Sequence, residues 1–254
     1  MRPKIEVRSV SKTFQTRGGP VPVLDNLSFA VADGEFVAVI GPSGCGKSTL
    51  LGVLAGFERP EAGEVRIDDE PVREPRRQGI FIFQQPSLFP WLDLERNIVF
   101  GLNGESAASR RSLVAHYIAL VGLEGFEHAF PNQLSGGMQQ RAELARALIV
   151  KPEILFLDEP FGALDALTRL RMRAELQRIL AIERHTVLLV THDVEEALHL
   201  ADRVVVLSAR PARIQRVIEV KLPRPRVLSN PELLALKASI LRELGVDELE
   251  DGNP

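Results

Sequence analysis

Nine consecutive residues, "GPSGCGKST", carry the plainest chemistry in the chain: Gly41, Pro42, Ser43, Gly44, Cys45, Gly46, Lys47, Ser48 and Thr49. Their spacing satisfies G-x-x-x-x-G-K-[ST], in which glycines let backbone amides curl around phosphate oxygens that side chains would obstruct. Lys47 offers a point charge to β- and γ-phosphates, and Ser48 a hydroxyl to Mg²⁺. A helix expected to begin at Lys47 adds the positive end of its dipole. Cys45 reads either as a redox-sensitive thiol or as a small residue filling a variable position.

Two further stretches bear on the same chemistry. "ILFLDEP", residues 154–160, is an apolar strand ending in two acids. Asp158 at its carboxyl end can hold Mg²⁺ through water, and Glu159 can polarise an attacking water. "LSGGMQQRAELARAL", residues 134–148, opens a helix on a Ser-Gly-Gly turn without any nucleophile, metal cluster or general base of its own. Ser135 suits an N-cap, and Gly136 and Gly137 bare the backbone. The chain therefore builds a second helix mouth suited to phosphate, some ninety residues after the first.

The elements that must position these groups follow from periodicity. "KIEVRSVSKTF" alternates like a half-buried strand, and "VLDNLSFAVADGEFVAVIG" reads as two strands joined at Asp33-Gly34. "EFVAVI" is nearly continuous in apolar residues, as expected of a strand covered on both faces, and it runs straight into the glycine loop. The stretch "SAASRRSLVAHYIALVGL" has helical spacing, which predicts a mostly helical subdomain inserted over about residues 97–150. Beyond it, "ILFLD", a helix over residues 166–183, "TVLLVT", a short helix from Val194 and "RVVVLS" alternate, predicting a parallel sheet with helices on both faces. "SARPARIQ" suggests a hairpin, the prolines of "LPRPR" break regular structure, and an amphipathic helix over residues 232–244 precedes a polar end.

Bulk composition excludes several classes. With 254 residues, 45% hydrophobic and 26% charged, the chain suits one large domain, or a domain with an insertion. A net charge of −3 gives no pull toward nucleic acid, and no nucleic-acid partner is expected. No apolar run approaches the roughly 18 residues that span a bilayer. The opening "MRPKIEVRSV" has no apolar export core, so a cytoplasmic location is expected. One cysteine rules out an intrachain disulfide and a multi-cysteine metal site.

The phosphate loop, "LSGGMQQR", "ILFLDEP", "GALD" and "THD" stand in the order and spacing of the ATP-binding cassette ATPases, which this sequence resembles over about residues 4–220, leaving 221–254 as a tail. The resemblance implies an α/β fold: a P-loop core with a mostly parallel sheet, an N-terminal antiparallel β-subdomain and the inserted helical subdomain. It implies ATP and Mg²⁺ as ligands, hydrolysis, and a head-to-tail pair in which one copy's phosphate loop and the other's Ser135–Gly137 turn share each ATP. Gln84 in "IFIFQQ", directly after the strand's last aromatic, resembles the glutamine that contacts Mg²⁺ and water; Gln85 is its neighbour and rival. His192 resembles the switch histidine at the γ-phosphate, and Asp165 the aspartate that reaches across the pair. Phe14 matches the aromatic stacked on adenine, or is a core aromatic at a strand end; Val21 and Val23 are further base-lining candidates. His116, His128, His185 and His199 are expected on helix or loop surfaces.

Such a domain must drive something. "QQPSLFPWLDLERNIVFGL" is expected to expose Leu88, Phe89 and Trp91 as the docking surface for a membrane permease. "PW" with a proline-rich tail resembles the importers of nitrate, taurine and aliphatic sulfonates. The implied assembly is two ATPase subunits and the permease at the cytoplasmic face of the inner membrane, with a solute-binding protein outside. An exporter or lipid-extracting cassette is the alternative. A soluble cassette acting on DNA or ribosomes fits less well, because the chain has no heptad run and no second cassette.

Overall fold

The computed structural model describes residues 2–102, 104–162, 164–182, 185–227 and 229–245. Glu183, the expected end of one helix, Ala163 of "GALD" and the polar end from residue 246 lie outside the described residues. Along the chain the elements are β1 (Pro3–Thr16), β2 (Gly19–Ala32), β3 (Phe36–Ile40), α1 (Lys47–Ala55), β4 (Ala62–Ile67), β5 (Glu70–Pro71), β6 (Gly79–Ile82), α2 (Leu94–Val99), α3 (Ala107–Leu120), α4 (Gly136–Leu148), β7 (Ile154–Asp158), α5 (Ala166–Ile182), β8 (Thr186–Thr191), α6 (Val194–Leu200), β9 (Arg203–Leu207), β10 (Ile214–Glu219) and α7 (Pro231–Glu243). They form two compact units, residues 1–76 with 186–254, and residues 77–185. Strands and helices mix in both, so the chain is α/β.

In the first unit, β1 and β2 form a long antiparallel hairpin, and β4 and β5 extend it in the order β2-β1-β4-β5. A second set is parallel at its centre: β3 pairs with β8 on one side and β9 on the other, and β10 closes antiparallel on β9. Every residue of β3 and β8 is buried, which explains their unbroken apolar runs. The loop after β3 turns into α1, which ends at Gly56 in the left-handed region (φ 84°). A Cβ there would lie 2.5 Å from the Glu74 backbone, so the cap must be glycine.

The tail belongs to this unit. Arg226 is buried and donates to the carbonyls of Leu198 (2.9 Å) and Ala201 (2.5 Å), satisfying the open end of α6. It also donates to Leu222 (2.9 Å) and Val220 (3.0 Å). Burial, with the nearby Arg224 charge, pushes its pKa down to about 10. α7 packs against α6, and Lys237 donates to Glu195 at 2.9 Å.

In the second unit, β6 and β7 pair in parallel, and Gly79 lets the Phe156 ring approach: a Cβ would sit 2.8 Å from it. α2, α3 and α4 pack on one another, burying Leu94, Ile98, Val114, Tyr117, Ile118 and Leu148. Asp93, Ser106 and Ser135 cap the three helices by accepting from Arg96 (2.9 Å), Ser109 (3.2 Å) and Met138 (3.3 Å) amides. Sequence periodicity did not anticipate α2, whose six residues are too few to show a helical repeat.

Candidate functional site

The phosphate loop is folded on itself. Lys47 is buried, and its Nζ donates to the carbonyls of Gly41 (2.9 Å) and Pro42 (3.2 Å). Gly44 and Gly46 hold φ of 73° and 123°, where only glycine is comfortable. A Cβ on Gly46 would strike Val23 Cγ1 at 2.7 Å, whereas one on Gly44 would meet nothing within 4 Å. The loop is thus tightly packed below and open above, with Ser43, Gly44 and Ser48 exposed and Pro42 and Thr49 half-buried. Cys45 is 1% exposed, its Sγ beneath Gly41, and burial pushes its thiol pKa up against the opposing Lys47 charge. That environment suits a filler, not a reactive thiolate.

Around it in the same unit, Phe14 stands opposite Val21 in the β1–β2 register, with Lys12 Nζ 5.0 Å from its ring centroid. Phe14 and Val21 are half-buried, and Val23 is buried under the glycine loop. His192 is exposed immediately after β8.

The second unit gathers the acids. Asp158 ends β7 and is buried, and Glu159 follows it at φ 44°, a left-handed backbone rarely adopted by non-glycine residues. The turn is closed by Gly162, whose amide donates to the Glu159 carbonyl at 3.1 Å. Strain of this kind persists where the surrounding structure imposes it, commonly at functional sites. Gln84, rather than Gln85, reaches Glu159: its Nε2 donates to Oε2 at 3.4 Å.

α4 presents the second helix mouth. Ser135 and Gly136 are exposed, and a Cβ on Gly136 would meet nothing within 4 Å. Gly137 has another reason to be glycine: a Cβ there would be 3.2 Å from Leu164 and 3.4 Å from Thr168. Asp165 caps α5, accepting from the amides of Leu167 (3.1 Å) and Thr168 (3.0 Å); the Thr168 hydroxyl first, and these amides after it, hold its carboxyl below the usual range.

The expected docking stretch needs correction at two of its three residues. Leu88 is buried at 9% exposure, and Phe89 is half-buried. Trp91 is 68% exposed and Phe100, which the sequence reading did not single out, 59%. Phe89 lies between them, its ring 5.4 Å from Trp91 and 4.4 Å from Phe100. Asn97, fully buried, fixes this patch by accepting from the Phe89 amide (2.8 Å) and donating to the Phe89, Leu92 and Asp93 carbonyls (3.1, 2.9 and 3.1 Å). A second brace ties the patch to α4. Ser87 donates its hydroxyl and amide to the buried Glu143 carboxylate, and Arg146 donates to the Ser87 carbonyl (3.0 Å) and hydroxyl (2.9 Å). Burial raises the Glu143 pKa against the pull of Ser87 and Arg146. Neither brace was foreseen; a mid-helix Asn beside a proline-rich loop is the one signal that pointed to it.

Two histidines correct the surface expectation. His116 and His128 are exposed, but His185 is 7% exposed with Nδ1 2.5 Å from the Pro152 carbonyl, and His199 is half-buried. A buried backbone carbonyl needed a partner at the start of β7, and His185 supplies it.

Residues 24–162 match the ABC transporter family. An uncharacterized ABC transporter ATP-binding protein of Methanocaldococcus jannaschii is 46% identical over 246 residues, covering 96% of this chain and 92% of the relative. The aliphatic sulfonates import ATP-binding protein SsuB of Bacillus cereus is 43% identical over 239 residues, covering 94% and 95%. Among solved structures, a dimeric ATP-binding cassette in a post-hydrolysis state bound to ADP and Pi aligns with a TM-score of 0.76 at 31% identity, covering 86% of this chain and all of that one.

Proposed function

Because the chain belongs to the ABC transporter ATPases, we propose that it is the ATP-hydrolysing subunit of an importer, working as a head-to-tail pair against a membrane permease. Lys47 and the backbone amides of the loop from Gly41 to Thr49, all but Pro42 carrying an N–H, bind the phosphates, and Phe14 stacks on the base. Glu159 accepts a proton from the attacking water, Gln84 orients that water, and His192 hydrogen-bonds the γ-phosphate. The Ser48 hydroxyl, the Gln84 amide oxygen and the Asp158 carboxylate are hard oxygen donors with a single carboxylate. Such a set fits Mg²⁺, which keeps several waters and shares phosphate oxygens. Mg²⁺ would neutralise charge developing on the phosphates.

Ser135, Gly136 and Gly137 contact the γ-phosphate bound by the other copy, and Asp165 reaches across the pair. The observation that carries this reading is the open mouth of α4: capped, exposed, free of acids in its first turn and with room for a Cβ on Gly136 that would meet nothing within 4 Å. Two positive helix ends on one triphosphate make ATP the link between subunits, and loss of the γ-phosphate loosens it. The aromatic patch at Phe89, Trp91 and Phe100 suits a permease helix on the cytoplasmic side of the membrane. None of the described helices is long and apolar enough to cross a membrane itself.

The SsuB relative favours an aliphatic sulfonate as the cargo; nitrate and taurine are the alternatives that the "PW" and proline-rich tail resemblance leaves. Light scattering on the Glu159→Gln chain tests the pairing. ATP should convert monomer to dimer, and the added Ser135→Arg change should prevent it. An unaltered chain that stays monomeric with saturating ATP yet hydrolyses at full rate overturns the proposal. Uptake of alkanesulfonate by the reconstituted transporter, compared with nitrate and taurine, tests the cargo.

A further inference from the structure

Away from the glycine loop, a cavity of about 400 Å³ lies within the second unit among α3, α4 and α5. Arg141 of α4 and Arg171, Glu175 and Arg178 of α5 line it, with His116 and Gly122 from α3 and its end. Arg141 is pinned: its Nη1 donates to the Val121 and Gly122 carbonyls, both at 2.9 Å. Burial first, and the Arg171 charge second, hold its pKa below the usual arginine value. Arg178 has the Glu175 carboxylate at 3.9 Å. Among the described residues neither Arg141 nor Arg171 has a carboxylate partner.

Three guanidinium groups against one carboxylate leave an excess of positive charge facing one recess. Guanidinium forks match tetrahedral oxyanions bidentately, which a lysine cluster would not do. From the cavity, its arginines and the missing counter-charge, we infer a binding site for a small dianionic oxyanion of the diphosphate type, separate from the phosphate loop. Arg141 and Arg171 supply the fixed and the adjustable halves of the clasp. The Arg178–Glu175 pair makes room by rotating outward as the anion is seated. The ligand spans α4 and α5, the helices whose caps are Ser135 and Asp165, so its occupancy stiffens the link between those two caps.

Pyrophosphate titrated calorimetrically into the full chain, with saturating ADP and no divalent cation to keep the phosphate loop occupied, tests the site. The expected result is one pyrophosphate per chain, with affinity falling at least about tenfold in the Arg171→Gln/Arg178→Gln double variant. Both side chains are exposed, so melting temperature and ADP affinity should hold. Methanesulfonate, a monoanion, should bind about tenfold more weakly than pyrophosphate. No pyrophosphate binding under ADP, or equal affinity in the double variant, overturns the site. Equal binding of methanesulfonate overturns the assignment to a dianion. The ATPase reading does not depend on the outcome.

Discussion

The mouths of α1 and α4 are built alike and finished differently. Both open on glycine and carry no acid in the first turn; α3 and α5 also lack one but open on alanine, whereas α2, α6 and α7 each place a glutamate there. An acid would satisfy the positive end of the dipole, so its omission keeps both mouths receptive to an outside anion. At α1 the surroundings complete the job: Lys47 is buried and bonded to its own loop, and Val23 fills the space under Gly46. At α4 only Ser135 is supplied, and the space before Gly136 is empty. One mouth is a finished cradle; the other, under the proposed pairing, is a surface for a second molecule.

That contrast can be broken or sharpened by experiment. The largest effect is expected at Glu159. Glu159→Gln should lower phosphate release by roughly 10²–10⁴-fold while ATP affinity stays near wild type, because a proton acceptor is lost and no phosphate contact is. Hydrolysis at an undiminished rate would remove Glu159 from the chemistry. Next come the two mouths themselves. Lys47→Ala should weaken ATP binding by the monomer about 100-fold, measured by calorimetry, through loss of a charge-assisted contact. Ser135→Arg should leave monomer affinity unaltered and abolish the ATP-induced dimer; equal damage from both would erase the distinction between cradle and surface.

Asn97→Ala should cost about 1–3 kcal/mol of stability, because buried backbone groups lose their partner. Permease capture should suffer as much as with Trp91→Asp, and ATP affinity not at all; a calorimetric melt and a pull-down decide. The smallest effect concerns Cys45. Its buried, raised-pKa thiol should resist iodoacetamide near neutral pH in the folded chain and react once urea unfolds it. Fast alkylation of the native protein would restore the redox reading.

How much of this was legible in the sequence depended on how locally each feature is encoded. The phosphate loop and Ser135 were readable because their chemistry sits within a few residues of itself. β3 and β8 were readable because burial on two faces leaves an unbroken apolar string. Leu88 was misjudged because whether an apolar residue in a loop faces solvent depends on which helices pack over it. His185 was misjudged because its partner, the Pro152 carbonyl, lies 33 residues away. Gly137 was read as bare backbone for a ligand, yet its neighbours at Leu164 and Thr168 give it a packing reason that no turn motif announces. Gln84 could be preferred over Gln85 because it directly follows the strand's last aromatic, but only the folded chain brings it to Glu159.

The arginine that stoppers α6 has a practical reach beyond its own carbonyls. Shortening the gene upstream of codon 226 would uncork that helix and loosen the stretch bearing His192, so a clipped product should work poorly even with every nucleotide-contacting residue intact. Affinity handles or fluorescent reporters are better fused past residue 245, where they leave the stopper seated.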